Sequence, residues 1–147
     1  MEKIKLTGKL AIKITRKNEV ILIRGANTVV NAGKDWAAAR LAASPPNVMG
    51  WFEFGDNGTA MDPAHTALQG ALNPPGRLTI TTTTVLANTV SYVRSFTNPG
   101  PGDIQNIREI GIFNAASGGT MLARFLVQAF PMFQGDQIDL TWTLTVG

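Results

Sequence analysis

Ile138-Asp139-Leu140-Thr141-Trp142-Thr143-Leu144-Thr145-Val146 alternates an apolar residue with a hydroxyl or a carboxylate at every step. A period of two puts the apolar side chains on one face of an extended chain and Asp139 and the threonines on the other, the pattern of a strand that covers a core with one face. β-Branched Thr suits a pleated surface even where it meets water. The same period opens the chain. Ile4, Leu6, Leu10, Ile12 and Ile14 fall on one side of residues 3–14, and Lys3, Lys5, Thr7, Lys9 and Lys13 on the other. Arg16-Lys17-Asn18 is a polar break before the apolar run Val20-Ile21-Leu22-Ile23, so the two segments read as a β-hairpin ended by Gly25-Ala26-Asn27.

Between these ends, Thr28-Val29-Val30 reads as a short strand. Asn31 is a helix cap for a segment from Ala32 to about Ala43, which Ser44-Pro45-Pro46-Asn47 stops. Trp51–Phe54 is a strand running into the turn Gly55-Asp56-Asn57-Gly58-Thr59. Asp62-Pro63 is a helix start, predicting a second helix over Ala64–Leu72. From Arg77 onward only strands are expected. Leu78, Ile80, Thr82 and Thr84 alternate with Thr79, Thr81 and Thr83, Ala87-Asn88 turns, and Val90, Tyr92 and Phe96 mark the return. Asn98-Pro99-Gly100-Pro101-Gly102 is a loop, Ile104–Asn114 and Met121–Gln128 form a pair about Gly118-Gly119, and Phe130-Pro131-Met132-Phe133 reads as a connection.

About eight strands with turn signals at regular spacing predict a mainly β fold, an antiparallel β-sandwich or jelly roll with two short inserted helices and an N-terminal β-hairpin. A parallel sheet is disfavoured, because the strands after Arg77 have no helices between them to make crossovers. The 147 residues suit a single domain, with residues 1–25 as a basic hairpin and 26–147 as the body. A fold of this size buries roughly 68–70% of its extended surface and needs no disulfide or metal. With no cysteine, thiolate metal sites, iron–sulfur clusters and cysteine nucleophiles are excluded. Met1-Glu2-Lys3-Ile4-Lys5 holds no apolar run of the kind a signal peptide or membrane span uses, so neither is expected.

The net charge of +3 conceals a split. Residues 1–40 hold nine Lys/Arg and three Asp/Glu, and residues 41–147 hold four and seven. Lys3, Lys5, Lys9 and Lys13 project from one strand face, with Arg16 and Lys17 at its turn, and these six are the candidate partner-binding residues. Such a stripe suits an acidic protein surface, and it also suits a solvated face that keeps an edge strand from aggregating. Nucleic acid is the weaker reading, because no aromatic residue is interleaved to stack on bases.

Catalytic chemistry has little to stand on. His65, the single histidine, lies near Asp62, but neither Thr66 nor Ser44 stands out as a nucleophile. Asp56-Asn57-Gly58 with Asp62 offers oxygen ligands without the spacing of a calcium loop, and Asp, Asn and Gly are what tight turns use. No glycine-rich element precedes a helix in the way a phosphate cradle requires. No catalytic residue, cofactor or metal is therefore assigned. Trp51, Phe52, Phe54, Phe125, Phe130, Met132 and Phe133 are a generous aromatic and Met supply, read mainly as core and otherwise as an oligomer interface. Glu109 and Arg124, 15 residues apart about the Gly118-Gly119 turn, are expected to pair across their hairpin.

Several segments together resemble small β-rich virion proteins of tailed bacteriophages, found as capsid decoration proteins or as attachment domains of tail and collar fibres. They are Asn27-Thr28-Val29-Val30-Asn31-Ala32-Gly33; Phe54-Gly55-Asp56-Asn57-Gly58-Thr59 with Pro63, Thr66 and Leu68; Ile107–Asn114 with Gly118–Arg124; and Leu140–Val146. They span most of residues 27–146. The resemblance implies a non-enzymatic, self-associating structural role in the virion. The first expectation is a decoration or cement protein that binds the outer shell as an oligomer, such as a trimer at a symmetry axis, with the major capsid protein or another virion protein as partner. A tail, collar or fibre-base adaptor is the alternative, and a small sugar-binding module with Trp36 and Trp51 as stacking residues the more distant one.

Overall fold

The computed structural model describes residues 5–147. Lys3 and Ile4, assigned to the first strand by alternation, lie outside the described residues. Nine strands and one helix follow in chain order: β1 (Leu6–Arg16), β2 (Glu19–Val29), α1 (Asn31–Ala39), β3 (Trp51–Gly55), β4 (Arg77–Thr79), β5 (Thr82–Leu86), β6 (Thr89–Thr97), β7 (Ile104–Phe113), β8 (Met121–Met132) and β9 (Gln137–Val146). They form a single curled sheet in the order β4-β3-β7-β8-β2-β1-β9-β6-β5, and every neighbouring pair is antiparallel.

The curl is localised at β2. It pairs with β1 from Arg16↔Glu19 through Gly8↔Asn27, yet meets β8 only at Thr28↔Arg124 and Val29↔Ala123. From there the two strands diverge, and the halves of the sheet turn their apolar faces toward each other. Phe52 of β3 stacks on Trp142 of β9, ring centroids 6.1 Å apart and planes 12° apart, although four strands separate β3 from β9 in the sheet. Phe54 of β3 and Phe96 of β6 also meet, with ring centroids 6.5 Å apart and planes tilted by 56°. At the far ends, β4 and β5 are joined by Ile80-Thr81 alone, so the chain steps there from one half to the other. The expected run from Leu78 to Thr84 is thus two strands.

Gly25-Ala26-Asn27 does not end a strand, as the sequence suggested; β2 runs through it. A Cβ at Gly25 would press on the Phe125 ring at 2.8 Å, so this glycine lets an aromatic side chain of β8 lie against β2 backbone where the two strands part. β1 lies between β2 and β9. Its lysines therefore do not guard a sheet edge. Phe130-Pro131-Met132 belongs to β8 rather than to a connection, and Pro131 is tolerated because that stretch is paired on one side only, to β7.

The first helix forms with different ends from those expected. Val30 occupies the cap position without a side-chain bond, the Asn31 N–H donates to Pro63 O at 2.7 Å, and the helix stops at Ala39. The second helix, expected over Ala64–Leu72, is absent. Asp62 caps one turn, accepting from the Ala64 N–H through its carboxylate and from the His65 N–H through its carbonyl. Beyond that turn the Gln69 and Gly70 N–H groups donate to Glu109 instead of to a helical carbonyl, and Leu72 N–H bonds Phe54 O. Leu68 is thereby drawn into a small cluster with Val30, Phe113 and Met121. A buried carboxylate and an apolar niche outcompete the backbone bonds of a short helix.

Candidate functional site

Alternation along β1 sends Leu10, Ile12 and Ile14 into the core and Lys5, Lys9 and Lys13 outward, all three exposed. Register then fixes their neighbours. Lys9 stands between Ala26 of β2 and Thr143 of β9, Ala11 between Arg24 and Thr141, and Lys13 between Leu22 and Asp139. Successive lysines are about 13 Å apart along the strand, which exceeds the roughly 8 Å screening length at physiological salt, so they coexist without strong mutual repulsion. None of Lys5, Lys9, Lys13, Lys17 or Arg24 is in an ion pair among the described residues.

Arg24 was missed by the sequence reading. It is exposed on the same outer face as the lysines, and only the β1–β2 register places it there, opposite Ala11. Lys9 and Arg24 flank a shallow depression of about 410 Å³, floored by small side chains including Ala11, Ala26, Thr141 and Thr143. The one carboxylate on this face, Asp139, already accepts from Ser95 Oγ and from Gln137 Nε2. A positive, shallow surface with hydroxyls at its floor suits carboxylate groups of a partner.

Arg16 does not join this surface. Its Nε donates to Asp136 Oδ2 at 2.9 Å, its Nη2 to Pro131 O at 3.1 Å, and its guanidinium lies 4.0 Å over the Phe133 ring. Asp136 is buried, and its hydrogen bond pushes the Arg16 guanidinium above its ordinary value despite some desolvation. Arg16 is a brace between the β1–β2 turn and the β8–β9 loop, its charge neutralised from within. Lys17 remains exposed at the turn, and Lys3 lies outside the described residues.

Glu109 and Arg124 pair as expected, and the pair does more than bridge a hairpin. Arg124 Nε donates to Glu109 Oε2 at 2.6 Å with both side chains out of reach of water. Arg124 Nη1 and Nη2 donate to the carbonyls of Thr59 and Asn57, at 2.8 and 3.1 Å. Glu109 accepts from the Gln69 and Gly70 N–H groups at 3.1 and 2.7 Å. Two full charges hold both ends of the loop between β3 and β4. The Asp56-Asn57-Gly58-Thr59 turn therefore aims carbonyls at a guanidinium, and its electrostatics oppose a metal cation there.

Among the described residues, no three His, Asp or Glu side chains gather as a metal would need. His65 is half-buried in the Asp62 turn, and no hydroxyl bonds to it among the described residues. The aromatic supply resolves largely as core: Phe52, Phe54, Phe125 and Met132 are buried, Trp51 and Phe130 half-buried, and Phe133 is 39% exposed beneath Arg16. Trp36 is buried with its Nε1 donating to Asn47 O, and Trp51 packs against the Leu68 cluster, so neither offers an open ring face to a sugar. No family model, curated protein or solved structure matches the chain.

Proposed function

We propose that the protein is a structural component of a tailed-bacteriophage virion, a decoration protein that binds the outer capsid shell as an oligomer and reinforces it. Under this reading the curled sheet is a two-layer sandwich, its halves facing across the Phe52–Trp142 stack. The observation that carries the proposal is the outer face of β1 and β2. Lys5, Lys9, Lys13 and Arg24 project there without an ion pair among the described residues, Lys9 and Arg24 over small, neutral neighbours. Arg16, Arg77 and Arg124 are instead paired with Asp136, Glu53 and Glu109. A surface of this kind docks on an acidic protein face by long-range attraction, which sets on-rate and orientation more than depth of burial.

Attachment through these charges weakens with salt. Purified protein is expected to bind empty phage heads at low ionic strength and to dissociate as salt rises. The Lys9→Glu/Lys13→Glu/Arg24→Glu variant should lose binding at all salt concentrations, while Lys17→Glu has a smaller effect. Equal binding at low and high salt, or undiminished binding by the triple variant, contradicts the assignment of this face.

A further inference from the structure

β5 ends the sheet, with β6 as its only partner strand. All five of its residues are exposed, Val85 at 70% and Leu86 at 74%. Thr82-Thr83-Thr84-Val85-Leu86 has no charge, no proline and no glycine, so it lacks the devices that ordinarily blunt a free edge. Its residues are also β-branched in four of five positions, which favours an extended backbone ready to accept a ladder. Such an edge is a template for strand addition.

We propose that this edge pairs antiparallel with β5 of a second copy across a two-fold axis at Thr84. The inference rests on the self-association in the proposed function and names the surface that achieves it. The other unpaired backbone among the described strands fits β5 poorly. β4 is three residues long and includes Arg77, whose side chain is committed to Glu53 and the Ala115 and Gly118 carbonyls. The open stretches of β2, β6 and β7 carry Glu19 and Arg24, Arg94, and Arg108 respectively, and that of β8 contains Pro131. β5 matches β5 in length and in neutrality.

Register completes the match. With the axis at Thr84, that residue faces Thr84 of the second copy, Thr83 faces Val85, and Thr82 faces Leu86. Residues opposite one another share a face in an antiparallel ladder, so each contact is hydroxyl to methyl or hydroxyl to hydroxyl, and no charges are opposed. On the core-side face, Val85 lies beside Val90 and Thr83 beside Tyr92 within each copy, so pairing joins two apolar margins into one layer. The contact is isologous and closes at two copies, so it links pairs rather than forming a ring of three.

Because the chain has no cysteine, Thr84→Cys introduces a single thiol that faces its own counterpart. Oxidation of the full-length variant should give a covalent dimer of twice the 15.7 kDa chain mass. Thr82→Cys should not, since its counterparts stand about 13 Å apart, beyond the roughly 7 Å reach of a disulfide. Thr84→Lys should weaken dimerisation in sedimentation velocity by about tenfold through opposed like charges, and mixing it with Thr84→Glu should restore the dimer. Wild-type protein that stays monomeric at every concentration overturns this inference together with the self-association it rests on. Oligomeric wild type whose mass is unchanged by Thr84→Lys, with no crosslink from Thr84→Cys, overturns the β5 contact alone.

Discussion

Glu109 and Arg124 carry full charges where no water reaches, and each has partners beyond the other. Removing one member leaves the opposite charge buried and unpaired, a change that costs about 3–5 kcal/mol. Glu109→Ala also strips Gln69 and Gly70 of their acceptor, so the β3–β4 loop should loosen with it. A lower urea or thermal midpoint, with proteolysis appearing first in residues 56–72, is the expected result. An unchanged midpoint contradicts the bracing role. The pairing itself was legible, because the two residues lie 15 apart on segments that flank a Gly-Gly turn. The loop carbonyls and N–H groups that complete it were not, since no periodic signal links Asn57 or Gly70 to residues beyond position 108. Arg16 is the converse case. It reads as part of a basic surface until Asp136, 120 residues away, is found against it.

At the scale of elements, strands announced themselves wherever one face is wet. β9 and β1 follow their alternation residue by residue, and the burial of Ile138, Leu140, Trp142 and Leu144 against half-exposed neighbours is the observed counterpart. Elements whose form depends on a distant partner were misread: the helix expected at Ala64–Leu72 yields to Glu109, and β2 extends through Gly25 because of Phe125. Arg24 went unnoticed for the same reason, as a strand thought to end at Gly25 gave it no face. α1 shows how close such packing can be. A Cβ on Gly33 would collide with the Leu122 carbonyl and Cα of β8, which are backbone atoms and cannot swing aside. Alanine is the better helix former by about 1 kcal/mol, yet overpacking here costs about 1–3 kcal/mol. Gly33→Ala should therefore lower stability in urea titration despite the gain in propensity. An equal or higher midpoint would show that α1 can lift off β8 without loss.

Across the whole molecule, charge is sorted by topology. The basic N-terminal hairpin stands in the middle of the strand order, its lysines and Arg24 outward, while Asp136 and Glu109 face arginines in the interior. Four of the nine basic residues of 1–40, Lys5, Lys9, Lys13 and Arg24, thus share one face, and the free edge at β5 lies in the same half of the sheet, beyond β9 and β6. The proposed docking face and the proposed pairing edge are formed by different strands of that half. Mainly β character and the terminal hairpin could be read from the sequence; the curl at β2 could not, because it depends on where two strands stop pairing. The most direct test of the proposed structural role is a cryo-EM map of a virion proposed to carry this chain. Density for this chain is expected in many icosahedrally arranged copies on the outer shell, with the Lys9 and Arg24 face toward the shell protein. A few copies confined to the tail or collar, or no density for the chain anywhere on the particle, would contradict that role.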